Sequence, residues 1–136
     1  MATGIIAITG AGVIGSINYG LCIMRIAREN QRATQVMLEK LEAIRLYNWS
    51  EVTNNNFIPS TFTAAYDPTG TTNSQGTTYY GSMSVTVPAF TGTSPNYANN
   101  IRQFNVSLTW TNAGGISHKR GLSTYVAQNG MQNYVW

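Results

Sequence analysis

The chain is short of the groups that most chemistry needs. Its 136 residues hold one cysteine, one histidine and five acidic residues, and charged residues make up 10% of the total, against roughly 25% in ordinary soluble domains. A lone Cys22 excludes an intrachain disulfide and any cysteine-based metal spacing; inside an apolar run it reads as a small hydrophobe. Asp67 is the only aspartate, and Glu51 is the only glutamate after residue 50. The second half therefore lacks the paired carboxylates of acid–base catalysis and an acidic calcium cluster. His118 has no acidic neighbour in sequence and reads as a solvent-facing position beside Lys119. There is no serine elbow. No residue is assigned a catalytic, cofactor-binding or metal-binding role, and the expectation is a protein that is not an enzyme. The net charge of +3 is spread along the chain and forms no nucleic-acid footprint.

Charge is missing altogether from Met1 to Met24. As a helix this run measures roughly 36 Å at about 1.5 Å per residue, enough to cross a bilayer. A secretory signal would place basic residues before a shorter apolar core, whereas Arg25, Arg28 and Arg32 follow this one, so the segment reads as retained. Beyond it the helical pattern continues: Ile26, Ala33, Met37, Leu41 and Ile44 recur at spacings of three, four or seven and define one apolar face. Arg25, Arg28, Glu29, Arg32, Glu39, Lys40, Glu42 and Arg45 are assigned to the opposite side, with Arg25 and Glu29 one turn apart. The spacing predicts one helix from near Met1 to about Tyr47, apolar all round in residues 1–24 and amphipathic in residues 25–48.

After residue 50 the composition turns to Thr, Ser, Asn and Gly. Residues 53–78, with Asp67-Pro68-Thr69-Gly70, carry turn chemistry, and a short strand within 57–66 belongs at an edge because of Pro59. Met83, Val85 and Val87 alternate with polar residues, as do Phe104, Val106, Leu108 and Trp110, giving strands with one dry face. Asn112-Ala113-Gly114-Gly115 reads as a hairpin turn, with residues 116–127 as the returning strand. Such a sheet and the stripe from Ala33 to Ile44 each need a partner, so the helix is expected to lie across an antiparallel meander. The fold class is α+β: residues 1–50 form the N-terminal helix segment and residues 51–136 a β-rich head.

One motif points elsewhere. Gly10-Ala11-Gly12-Val13-Ile14-Gly15 matches the dinucleotide-binding GxGxxG and follows Ile5-Ile6-Ala7-Ile8, which reads as a buried strand. That fold requires an acidic residue about 20 positions later, where this chain has Gln35 in a helical stripe. The competing reading makes Gly4, Ala7, Ala11 and Gly15 small residues that let apolar helices approach closely. Asn48-Trp49-Ser50 and Asn105-Val106-Ser107 fit the glycosylation sequon and are given no role.

An uncharged helix that becomes amphipathic without a break, followed by a small antiparallel head, resembles the type IV pilin superfamily, particularly pseudopilins and minor pilins of type II secretion systems. The segment Arg25-Ile26-Ala27-Arg28-Glu29-Asn30-Gln31-Arg32-Ala33-Thr34-Gln35, with Leu41-Glu42-Ala43-Ile44-Arg45, is similar to the second half of that family's first helix. The stretch from Leu122 to Val126, followed by Asn129 to Tyr134, also has a familial look. The resemblance implies a filament subunit with Ile5, Ile6, Ile8, Ala11, Gly12, Val13, Ile14 and Ile17 in the filament core or membrane, and Ala33, Met37, Leu41 and Ile44 holding helix to head. It implies no cofactor. Its implied partners are further copies or other pilin-like subunits, the inner membrane before assembly, and a prepilin peptidase with its assembly machinery. The implied end location is an extracellular filament or periplasmic pseudopilus. The family's hallmark is a cleavage glycine and a glutamate at the fifth mature position; position 5 here is Ile5, and the expectation is a chain starting inside the prepilin. Two other functions stand beside this one: a single-pass anchored β domain with a ligand, and a small dinucleotide-binding protein.

Overall fold

The computed structural model describes the backbone of residues 2–54, 56–71 and 74–130, and side-chain surroundings from Gly12 onward within that span. One helix, α1 (Ala2–Ile44), leads into a one-turn helix, α2 (Trp49–Thr53), and then into strands β1 (Thr61–Ala65), β2 (Thr78–Thr86), β3 (Ile101–Thr111) and β4 (Ser117–Ala127). The strands form one sheet in the order β1-β2-β3-β4, every neighbouring pair antiparallel. The α+β class, the helix lying on the sheet and the meander connectivity agree with the sequence reading.

The helix stops for a local reason. Arg45, Leu46 and Tyr47 donate backbone N–H groups to Glu42, Ala43 and Ile44, three residues back, at 3.1 Å each, so the last turn tightens. Asn48 then caps α2: its Oδ1 accepts from the Glu51 N–H at 3.0 Å while Glu51 Oε2 accepts from the Asn48 N–H at 2.9 Å, a reciprocal capping box. The boundary is thus Ile44 and not Tyr47 or residue 48, because Asn48 satisfies a new helix start better than it extends the old one.

Helix and sheet share one core. Ala33, Val36, Met37, Leu41 and Ile44 of α1 are buried in a cluster with Tyr79 of β2 and Phe104, Val106, Leu108 and Trp110 of β3, closed by Val52 and Ile58. Full burial of large apolar side chains contributes about 1.5–3 kcal/mol each, so this cluster dominates head stability. Strand β2 begins at Thr78, earlier than the alternation from Met83 suggests, and brings Tyr79 to the centre. Val87 lies beyond β2 and is exposed. The β3–β4 turn closes at Asn112 to Gly115, where Gly115 takes φ +77°, a conformation costly for other L residues.

Two placements correct the sequence reading. Glu29, assigned to the outer polar face, is buried and makes no pair with Arg25; the ion pairs among the described residues are Arg32–Glu39 and Arg45–Glu42. The fixed 3.6-residue turn carries the helix face around so that position 29 meets β2, where its backbone oxygen accepts from the Tyr79 hydroxyl at 3.0 Å. Residues 5–8, read alternatively as a strand, belong to α1, and the 10–15 glycine motif runs inside the same helix. It forms no strand–loop–helix turn, so its amides face helical carbonyls and not a pyrophosphate site.

Candidate assembly surface and the groove beside it

Between Gly12 and Met24 almost every helix residue is exposed. Val13, Ile14, Ile17, Leu21, Ile23 and Met24 are all exposed, although nothing about their chemistry favours water. A Cβ placed on Gly12, Gly15 or Gly20 meets nothing within 4 Å, so their small size serves no contact among the described residues. Ser16 Oγ donates to the Gly12 carbonyl at 2.9 Å, satisfying its hydroxyl along the helix. Of the residues expected in a filament core, Gly12, Val13, Ile14 and Ile17 lie on this exposed stretch; the side chains of Ile5, Ile6, Ile8 and Ala11 lie outside the described residues. Among the described residues no helix is long and apolar enough to cross a membrane. Arg25 and Arg28 end the uncharged stretch on one side, and its other half falls in residues 1–11. Residues 1–11 of the expected span of residues 1–24 lie outside the described side chains.

Ala33, Met37, Leu41 and Ile44 sit together in the core. Sequence reasoning missed Val36, although it lies three residues from Ala33, and missed Tyr79, although it continues the β2 alternation backward from Met83 through Gly81.

Where α1 leaves the head, a groove of about 660 Å³ opens, lined by Leu21, Met24, Arg25, Arg28 and Glu29 of the helix, by Tyr66 and Thr77 near β1 and β2, and by Thr111 to Ala113 of the β3–β4 turn. Glu29 Oε1 accepts from Thr77 Oγ1 at 3.2 Å, whereas its Oε2 is buried without a donor. The same is true in reverse of the buried Arg32 Nε. Burial, then the nearby Glu29 carboxylate and Tyr66, push the Tyr79 hydroxyl up to about 12, since each disfavours a phenolate. At the exposed loop between β1 and β2, hydrogen bonds from the Thr69 side chain and backbone hold the Asp67 carboxyl below its ordinary range.

His118 is half-buried and not fully solvent-facing: its ring stacks on Trp110 with centroids 5.4 Å apart and planes 20° apart. Asn112 Oδ1 accepts the Gly114 and Ile116 N–H groups at 3.0 and 2.9 Å. That turns its Nδ2 toward His118 Nε2, 3.2 Å away. The pair orders the hairpin; among the described residues no carboxylate is bonded to it. No group of His, Cys, Asp and Glu suited to a metal occurs among the described residues.

No protein-family model matches the chain, and searches of curated proteins and of solved structures likewise find no match.

Proposed function

We propose that the chain is a non-enzymatic structural subunit of a type IV pilus-like filament or type II secretion pseudopilus, assembling through the N-terminal half of α1. The observation that carries this reading is the division of one continuous helix. Its second half is buried in the head through Ala33, Val36, Met37, Leu41 and Ile44, while its first half presents Val13, Ile14, Ile17 and Leu21 to solvent. An apolar helix that its own head leaves bare needs other apolar helices or lipid around it. Lipid tails and a bundle of such helices are similar solvents, so transfer from an inner membrane into a filament core costs little, and glycines with open space around them allow close helix approach. The resemblance to pilins supplies the order of events: residence in the inner membrane, then extraction into a filament of like subunits with heads outward.

Electron microscopy of the native membrane and of the sheared surface fraction, labelled with an antibody to residues 51–136, tests this. Thin labelled filaments are expected. Label confined to membrane with no filament or pseudopilus under any secretion condition would leave an anchored β domain instead.

A further inference from the structure

The groove at the helix exit combines chemistry that the filament role leaves unused. Arg25 and Arg28 stand on its helical wall as exposed cations, and neither is in an ion pair among the described residues. Leu21 and Met24 continue the same wall one turn earlier as exposed apolar surface. The single carboxylate of the lining, Glu29, is buried with one oxygen held by Thr77 and the other without a donor. Thr77, Thr111 and Asn112 add neutral hydrogen-bonding groups. The lining therefore asks for an occupant with an anion for the guanidinium pair, an N–H-bearing cation for the field of Glu29, and an apolar part for Leu21 and Met24.

We infer that this groove binds the headgroup of a phosphoethanolamine lipid. The phosphate lies against Arg25 and Arg28, the primary ammonium is turned toward Glu29, and the first part of the acyl chains runs along Leu21 and Met24. Charge complementarity selects this occupant over the others. A purely anionic headgroup leaves Glu29 without a cation and facing added negative charge. A choline headgroup has no N–H to donate. A cationic side chain from another copy is repelled by the two arginines. The inference rests on the membrane-resident stage of the proposed function. It gives that stage a consequence: the headgroup fixes the depth and rotation of α1 until extraction strips it away.

The test uses the full chain in neutral detergent micelles doped with equal fractions of phosphatidylethanolamine, phosphatidylglycerol or phosphatidylcholine. Bound lipid is counted by native mass spectrometry and head stability is followed by tryptophan fluorescence on heating. Phosphatidylethanolamine is expected to bind roughly tenfold more tightly than either competitor and to raise the melting midpoint most. Glu29→Gln should erase the preference over phosphatidylglycerol. Arg25→Gln and Arg28→Gln, both on the exposed wall, should weaken binding of every one of these phosphate-bearing lipids and keep the head folded even if the buried Glu29 variant does not. Arg120→Gln, on an exposed β4 position outside the groove, should change nothing. Equal retention of all three lipids overturns the assignment, as does equal binding of free phosphoethanolamine or an unaltered lipid affinity in the Arg25 and Arg28 variants. Filament formation is scored separately. Filaments without lipid preference defeat only this site, and lipid preference without filaments defeats only the filament reading.

Discussion

Tyr79 shows how a single polar contact ties helix to sheet. Its hydroxyl donates to the Glu29 carbonyl from a fully buried ring, a carbonyl that otherwise serves only the helix. Tyr79→Phe keeps the ring and removes the donor, so urea denaturation at neutral pH is expected to show a loss of about 1 kcal/mol. The pH dependence has a definite sign. The folded hydroxyl titrates at about 12, above the ordinary tyrosine value of about 10, so folding favours its protonated form. The stabilisation is fully present below about pH 10 and is lost as pH rises through the folded value. The wild-type minus Tyr79→Phe difference should therefore shrink over that window, and a difference that stays flat would remove the coupling. Gly81 makes a second residue-scale case. It faces Phe62 across the β1–β2 pair, and a Cβ there would collide with the Phe62 ring, over which Lys40 Nζ sits at 5.1 Å from the centroid. Gly81→Ala is expected to cost about 1–3 kcal/mol by displacing that ring. Gly81→Ala in a Phe62→Leu background should recover part of the loss in the same denaturation assay. Failure to recover any would mean that the glycine serves backbone geometry instead.

At the scale of elements, what the sequence made legible follows periodicity. The stripe Ala33, Met37, Leu41, Ile44 specifies a helix face, and Phe104, Val106, Leu108, Trp110 specify a strand face, because helical and pleated geometry turn those spacings into buried surfaces. Glu29 was misplaced by the same logic, since a charged residue between Arg28 and Arg32 looks like outer face; only its β2 partners, Thr77 and Tyr79, nearly 50 residues away in sequence, explain its burial. The groove was illegible for a similar reason: its walls come from α1, the β1–β2 region and the β3–β4 turn, and no local pattern joins them. The end of α1 was missed by a few residues because Asn48 has two uses, helix extension or N-cap, and only the reciprocal bond with Glu51 decides between them. That decision is measurable. Asn48→Ala removes the side-chain acceptor for the Glu51 N–H and should lower stability by about 1 kcal/mol, whereas Asn48→Ser should restore most of it. Equal stability of the alanine and serine variants would show that α2 is held by Val52 packing alone.

For the whole molecule, the two halves of α1 answer to different surroundings, so their mutations should separate. Ile14 is 63% exposed and lies well before the first helix residues that enter the core. Ile14→Arg therefore leaves every head contact in place, and the thermal midpoint of the head should move by no more than a surface substitution does, within about 0.5 kcal/mol. In a bilayer or a bundle of apolar helices the same guanidinium has no partner and no water, at a cost of about 2.5–3.5 kcal/mol for each subunit at mid-membrane depth. Such a cost recurs at every subunit of an assembly, so the variant should be made and folded, yet be absent from the sheared filament fraction. Ile14→Leu, which keeps apolar volume, should assemble normally. The comparison discriminates because it reads two properties of one polypeptide. Loss of head stability in Ile14→Arg would mean that the front of the helix packs on the head, and unchanged filaments from Ile14→Arg would mean that assembly runs through the heads instead.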